Sequence, residues 1–277
     1  MIILVDVRYI LYRSHFTTGA LSFGDVPTGS IFGLLQTLKT FHEAYQDCRF
    51  LLCHDGGIPQ FRYEACPEYK GNRDSVGNDV RDTIDMQERI IQSNAPLSQW
   101  VIAGYEADDL IASFCTNWKG EGQIGIITND RDLYSLLTDK VFIRKSISDS
   151  EFTVTSLIDE YGVQPDIWPL VKALAGDKSD NITGLRGYKE KRASKAIREG
   201  SIDFKDPQIR DLVQRNLQVV QLVKTLEGWP EPQAIDTLSW NSFCSAFGIV
   251  KVQFGESIFD VQDRIKTLPP GSYDFPE

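Results

Sequence analysis

Three apolar runs in this chain each end on aspartate: IILVD at 2–6, FLLCHD at 50–55 and IGIITND at 124–130. Short, unalternating apolar runs mark strands buried on both faces, which occur where helices cover both sides of a parallel sheet. Val141–Ile143 reads as a further strand. Between the runs lie amphipathic helices. Ser30 is placed to cap one that carries Ile31, Leu34, Leu35, Leu38, Phe41 and Tyr45, and Leu110, Ile111, Phe114 and Trp118 mark another. The alternation predicts an α/β fold with a mainly parallel central sheet flanked by helices. Parallel strands would bring Asp6, Asp55 and Asp130 to one carboxyl edge, where such sheets bind ligands.

Six more acids accompany these three. Asp132 follows Asp130; GYEADDLIASF supplies Glu106, Asp108 and Asp109; GDKSDN supplies Asp177 and Asp180. Glu106 and Asp109, three apart, share a helix face. A lone Asp at a strand end or helix start is ordinarily a cap. Nine acids from five segments are another matter, because packed without cations they repel one another and destabilise the fold. All-oxygen donors favour hard divalent ions, Mg²⁺ with Mn²⁺ as a substitute. Two such ions activate water and stabilise a leaving oxygen in phosphoryl hydrolysis. An Asp-nucleophile phosphatase fits less well, since Asp6-Val7-Arg8 lacks a second Asp two residues on.

The remaining composition narrows the classes. No stretch is long and apolar enough to span a membrane. The apolar N-terminus lacks a basic flank and reads as a strand, not a signal peptide. Five scattered cysteines form no Cys-x-x-Cys pair, which suits reduced thiols in a cytoplasm. Three histidines show no zinc spacing. The net charge of −10 argues against a polyanionic partner, but Arg186–Arg198 holds six basic residues against Glu190. Gly184 and Gly187 predict a tight turn between two helices. The second helix sets Lys191, Lys195 and Arg198 on one face and Ala193, Ala196 and Ile197 on the other. With Lys189 and Arg192 nearby, this hairpin suits contacts to phosphates, not to base edges. In FRYEACPEYKGNRD, Arg62 is a candidate DNA contact, Lys70 and Arg73 could clamp a phosphate and Tyr69 could stack on a base. Gly71–Pro96 is polar and reads as a mobile or partly helical excursion with Val80, Ile84 and Ile91 on a thin face. After about Thr155 helices dominate, at Asp166–Ala175 and Gln208–Leu226.

Taken in order, VDVRYILYRSHF, HDGGIPQFRYEACPEYKGNRD, GYEADDLIASF, TNDRDLYSLLTDK and ALAGDKSDNITGLRGYKEKRASKAI resemble the 5′ nucleases. That family includes phage flap endonucleases and the 5′–3′ exonuclease domain of bacterial DNA polymerase I. The resemblance implies a PIN-like α/β core over 1–160 with a helical arch at about 68–95. It also implies a helical DNA-binding region over 161–277, with a helix–three-turn–helix motif at about 174–198. It assigns Asp6, Asp55, Glu106, Asp108 and Asp109 to a first metal and Asp130, Asp132, Asp177 and Asp180 to a second. Lys70 and Arg73 become the basic pair at the scissile phosphate, with Tyr69 beside them. Gly184 and Gly187 become the hairpin glycines, where duplex backbone and a K⁺ ion bind. The implied activity is two-metal hydrolysis of branched or 5′-ended DNA, leaving a 5′-phosphate and a 3′-hydroxyl. The expected setting is phage DNA replication or repair in a bacterial cytoplasm, as a monomer beside a separate polymerase. Removal of RNA primers from RNA–DNA hybrids, or noncatalytic junction binding, are the alternatives. Two departures stand out. Gly187-Tyr188-Lys189 replaces the family's Gly-Ile-Gly. The arch is acidic, with Asp74, Asp79, Asp82, Asp85 and Glu88 against Arg73, Arg81 and Arg89.

Overall fold

A computed structural model describes residues 1–72 and 77–254. The chain runs β1 (Ile2–Asp6), α1 (Val7–Thr18), a small hairpin of β2 (Ser22–Phe23) and β3 (Val26–Pro27), α2 (Gly29–Ala44), β4 (Arg49–Cys53) and α3 (Gln60–Ala65). It continues through α4 (Asn78–Asn94), β5 (Ser98–Trp100), α5 (Ala107–Asn117), β6 (Ile124–Ile127), β7 (Val141–Arg144), α6 (Val154–Tyr161) and α7 (Trp168–Ala175). A second small hairpin, β8 (Gly176–Asp177) with β9 (Ile182–Thr183), precedes α8 (Glu190–Arg198), α9 (Pro207–Val220) and α10 (Thr237–Ala246).

The central sheet has the order β5-β4-β1-β6-β7, and every pairing in it is parallel. Successive residues of β1 point to opposite faces. Ile2 and Leu4 pack with Leu110, Phe114 and Trp168, while Ile3 and Val5 pack with Ile10, Leu34 and Leu38. The sheet is therefore the middle layer of three, as the apolar runs predict. In each case the run ends where its strand leaves the buried layer, so the aspartates emerge at the carboxyl edge.

Several local expectations shift. The helix expected to start after Ser30 begins at Gly29, and Ser30 lies buried in its first turn. β5 has three residues, too few to show a period. After Asp130 the chain makes a 3-10 turn, Asp132–Leu136. The polar stretch 71–96 contains a 17-residue helix, α4, whose Ile84 and Ile91 are fully buried with residues of α1 and α2. Only one narrow stripe of α4 meets the core, so its composition reads as solvent-exposed although the helix is packed. Arg73 and Asp74 lie outside the described residues.

The expected helical region from 161 onward divides in two. Helices α7, α8 and α9 pack together on the sheet face that holds Trp168. Beyond α9 the chain returns to the sheet, where Gln233 and Phe50 of β4 exchange backbone hydrogen bonds of 2.7 and 3.0 Å. Trp240, Phe243, Cys244 and Val252 then close the opposite face over α1 and α2. No helix among the described residues is long and apolar enough to cross a membrane.

Candidate metal centre and DNA-facing surface

Asp6 is the last residue of β1 and the N-cap of α1. One carboxylate oxygen accepts from the Tyr9 N–H at 3.0 Å and the other from the Thr128 hydroxyl at 2.9 Å. Asp55 follows β4 and accepts from the Ala107 N–H at 2.9 Å, which ties it to the start of α5. Asp130 follows β6 and accepts from the Asp132 N–H at 2.8 Å. Capping and convergence thus coexist: the hydrogen bonds that terminate each strand also fix its carboxylate at the shared edge. Asp6, Asp55, Asp108 and Asp130 line one cleft with Lys70 and Glu106. An adjoining cleft shares Asp6 and Asp130 and adds Asp177, Lys172 and Glu190.

The electrostatics record the crowding. Burial, and then the charge of Asp55, pushes Asp6 up to about 7. Burial, with Asp130 and Asp6 nearby, raises Asp108 well above the usual carboxylate range. Burial also raises Asp130, against the opposing Asp132 N–H and Lys172. Asp132 is pushed up to about 7 by burial and by Asp130, despite Lys172. Groups that resist ionisation for these reasons gain from a nearby cation. Among the described residues, no three His, Cys, Asp or Glu side chains are gathered tightly enough to hold a metal ion as they stand. The donor set is nevertheless all oxygen and electrostatically deficient in positive charge, which fits hard divalent ions.

One cation is built into the second group of acids. The Lys172 ammonium is buried on α7, 3.0 Å from Asp132 and 2.5 Å from Asp177. Although partly buried, Asp177 is held below its ordinary range by Lys172 and by Ser179. Sequence reading missed Lys172; its signal is a lone lysine inside the apolar helix WPLVKALA. Asp180 is buried, and its carbonyl accepts from the Lys70 N–H at 2.9 Å.

Three expected site residues, Arg62, Asp109 and Tyr69, point into the interior. Arg62, expected at the DNA, is 2% exposed. Its guanidinium donates to both oxygens of Asp109 at 2.7 Å, to Glu106 at 2.5 Å and to the Val219 carbonyl at 2.9 Å. Asp109, expected at the first metal, is fully buried and also accepts from the Val223 N–H at 2.9 Å. Asp109 therefore points inward to Arg62, Glu106 bridges Arg62 and the cleft lysine Lys70, and Asp108 lines the cleft beside it. Spacing gave the shared face but not its direction. Tyr69 is likewise buried, its hydroxyl donating to Glu106 at 3.1 Å, so its ring is not presented for stacking here.

Lys70 is held at the cleft by its own loop. Its backbone is left-handed, with φ 57°, and its ammonium pairs with Glu106. Asn72 donates to the Lys178 carbonyl at 2.7 Å and Asn181 to the Glu68 carbonyl at 2.8 Å. These bonds stitch the loop that carries Lys70 to the acidic segment GDKSDN.

The hairpin before α8 explains its glycines. A Cβ on Gly184 would lie 2.2 Å from the Ala175 carbonyl atoms, and Gly187 has φ 83°. Lys189 has φ −108°, an extended conformation that needs no glycine, so the turn tolerates the departure from Gly-Ile-Gly. Lys189, Lys191, Arg192, Lys195 and Arg198 are all exposed, while Ala193 and Ala196 are buried. Arg192 stacks over Tyr188 and donates to the Gly187 carbonyl at 3.2 Å. The result is a cationic ridge beside the second cleft.

Comparisons with known proteins agree with this geometry. Residues 1–162 match the family described as 5′–3′ exonuclease, N-terminal resolvase-like domain. A 5′–3′ exonuclease of Bacillus subtilis is 34% identical over 207 residues, 72% of this chain and 70% of that protein. The thermostable DNA polymerase I of Thermus thermophilus is 31% identical over 238 residues, 81% of this chain but 28% of the polymerase. Zinc-bound T5 5′-exonuclease superposes with a TM-score of 0.65 at 23% identity, covering 95% of this chain and 96% of that one. The T5 flap endonuclease in a complex with DNA and metal ions gives 0.60, also at 23% identity, with 96% and 98% covered. The fold is that of the PIN-like 5′ nucleases, and the chain belongs to the 5′–3′ exonuclease family.

Proposed function

We propose that the protein is a Mg²⁺-dependent, structure-specific 5′ nuclease. It would act as a flap endonuclease and 5′–3′ exonuclease on DNA near 5′ ends and single-strand–duplex junctions, in phage DNA replication or repair. The observation that carries this reading is the convergence of Asp6, Asp55, Asp108 and Asp130 at one sheet edge beside Lys70. A retired site has no reason to retain Asp6, Asp108 and Asp130, whose burial and neighbouring charges oppose ionisation. The T5 enzyme, which has the same fold, has been captured with DNA and metal ions.

Asp6, Asp55, Asp108 and Asp130 would hold one ion, and Asp130, Asp132, Asp177 and Asp180 would hold the other. Bound there, such ions lower the pKa of an attacking water and offset charge on the leaving oxygen. The protein's own groups do the positioning. Glu106, anchored by Arg62 and Tyr69, keeps the Lys70 ammonium extended over the cleft until a phosphate oxygen takes it. Lys172 pairs with Asp132 and Asp177, fixes both carboxylates and favours the ionised form of each. The exposed cations of α8 would grip duplex phosphates without reading bases. Water attacks phosphorus, the P–O3′ bond breaks, and the products carry a 5′-phosphate and a 3′-hydroxyl.

The test is cleavage of labelled flap, nicked and gapped duplexes by the purified protein with Mg²⁺ or Mn²⁺ and with EDTA. Cleavage should require metal. Asp130→Ala and Asp177→Ala should abolish it while retaining DNA binding. Intact substrates with either metal would overturn the reading. Matched RNA and DNA 5′ ends in the same assay establish which strand is preferred.

A further inference from the structure

Arg8, the second residue of α1, reaches into the cleft lined by Asp6, Asp55, Lys70, Asp108 and Asp130. Its guanidinium is shared between two carboxylates of α4, Glu88 at 2.7 Å and Asp85 at 2.5 Å, and its Nε lies 3.9 Å from Asp55. The two α4 partners differ in kind. Glu88 is 6% exposed, and its other oxygen sits 3.0 Å from His54 Nδ1, whose Nε2 is 2.6 Å from Gln99. Asp85 is 35% exposed and lies at the cleft rim. One partner is therefore a buried anchor, and the other is an anion that water, or another anion, can replace.

We infer that Arg8 is a substrate-phosphate ligand and that Asp85 takes the place of the DNA phosphate in the free protein. The inference rests on the DNA-binding reading above. A planar guanidinium offers two parallel donors, matched equally by carboxylate and phosphate oxygens. Glu88 holds one side of the fork, so Nη2 stays aimed into the cleft when Asp85 withdraws. The pair with Asp85 is partly open to water, its side chains 25% and 35% exposed, so solvent screening weakens it and exchanging Asp85 for a phosphate carries a small penalty. The same geometry accounts for acid on the arch helix: Asp85 and Glu88 turn toward Arg8, not toward an incoming strand.

The experiment is equilibrium binding of a fluorescent 5′-flap duplex in EDTA over a range of salt, with thermal melts of each variant. Arg8→Gln should weaken binding about tenfold, as expected for a lost charged hydrogen bond. It should also reduce the salt slope by about 1, one phosphate contact. Asp85→Asn should tighten binding about fivefold, the worth of a solvent-screened ion pair at its upper end. Asp82→Asn removes the same charge from an exposed site on α4 and should give a smaller gain. In an R8Q/D85N double variant, the gain from D85N should fall to that of D82N. An unchanged salt slope in a folded R8Q protein, or a D85N gain no larger than that of D82N, would overturn the inference. Because Asp85 is at the rim, the second comparison stands even where R8Q does not fold. A wild-type protein that binds no flap DNA would instead defeat the nuclease reading itself.

Discussion

Arg62→Met isolates the difference between a DNA contact and a structural pin. In the folded protein the Arg62 guanidinium fills both oxygens of Asp109, one oxygen of Glu106 and the Val219 carbonyl, all away from solvent. Methionine matches the stem but supplies no donor. Asp109, fully buried, would keep the Glu106 and Val223 N–H groups and lose its counter-ion. Removing one partner of a buried ion pair costs about 3–5 kcal/mol. Glu106 retains Lys70 and Tyr69, so the lower half of that range, about 3–4 kcal/mol, is expected. Against a typical total of about 5–15 kcal/mol, that is a large fraction. Urea unfolding in EDTA measures it through the midpoint at unchanged m-value. An Arg62→Met/Asp109→Leu double variant should recover part of the loss, because the stranded charge is gone. A loss below about 1 kcal/mol, the size of an exposed pair, together with a lower salt slope for DNA binding, would refute the argument and return Arg62 to the DNA surface.

In EDTA, stability should fall as pH rises from about 4 to about 7. Asp6 and Asp132 are pushed up to about 7 in the folded protein, so the folded state holds protons that the unfolded chain releases near 3.8, and the stabilisation present below that value is lost as pH passes the folded one. Mg²⁺ should restore melting temperature most at the neutral end; a flat or rising EDTA profile would contradict this. Lys172→Ala strands Asp132 and Asp177, and should cost about 3 kcal/mol in EDTA, with a smaller loss at saturating Mn²⁺, as read by denaturant midpoints. Lys70→Ala should slow single-turnover flap cleavage by about 10²–10³ while flap affinity changes far less; wild-type turnover would make Lys70 a structural partner of Glu106 alone.

How legible the protein is depends on the range of the interaction that decides each feature. The strands of the sheet's centre were readable because burial on both faces leaves an uninterrupted apolar run, and the run's end marks the edge where Asp6 and Asp55 emerge. The glycines of the hairpin were readable too, because a clash at Gly184 and a positive φ at Gly187 are local constraints. What failed was direction across the tertiary fold. Three-residue spacing joins Glu106 to Asp109, but only the approach of Arg62 from α3 decides that Asp109 points inward. Lys172 was passed over because only the fold brings Asp132 to it, although a lone lysine in an apolar helix five residues before Asp177 was its local signal. α4 was underestimated because two isoleucines suffice to dock it. The packing of the last described helix depends on neighbours some two hundred residues away, which no window of sequence contains.

That last packing has a consequence in time. The Lys39 ammonium donates to the Gln253 carbonyl at 2.7 Å, and Phe254 meets both Lys39 and His42, so α2 is completed by residues made long after it. During synthesis, the first strand and its aspartate would leave the ribosome far ahead of the segment that covers their helical layer. Domains generally form as their parts emerge, and contacts of large sequence separation close late. A nascent chain therefore spends most of its translation with the outer side of α2 uncovered, while the sheet face beneath is already covered by α1 and α2. The acidic edge, held by contacts to Tyr9, Ala107, Thr128 and Asp132, would be set before the layer of α1 and α2 receives its final cover.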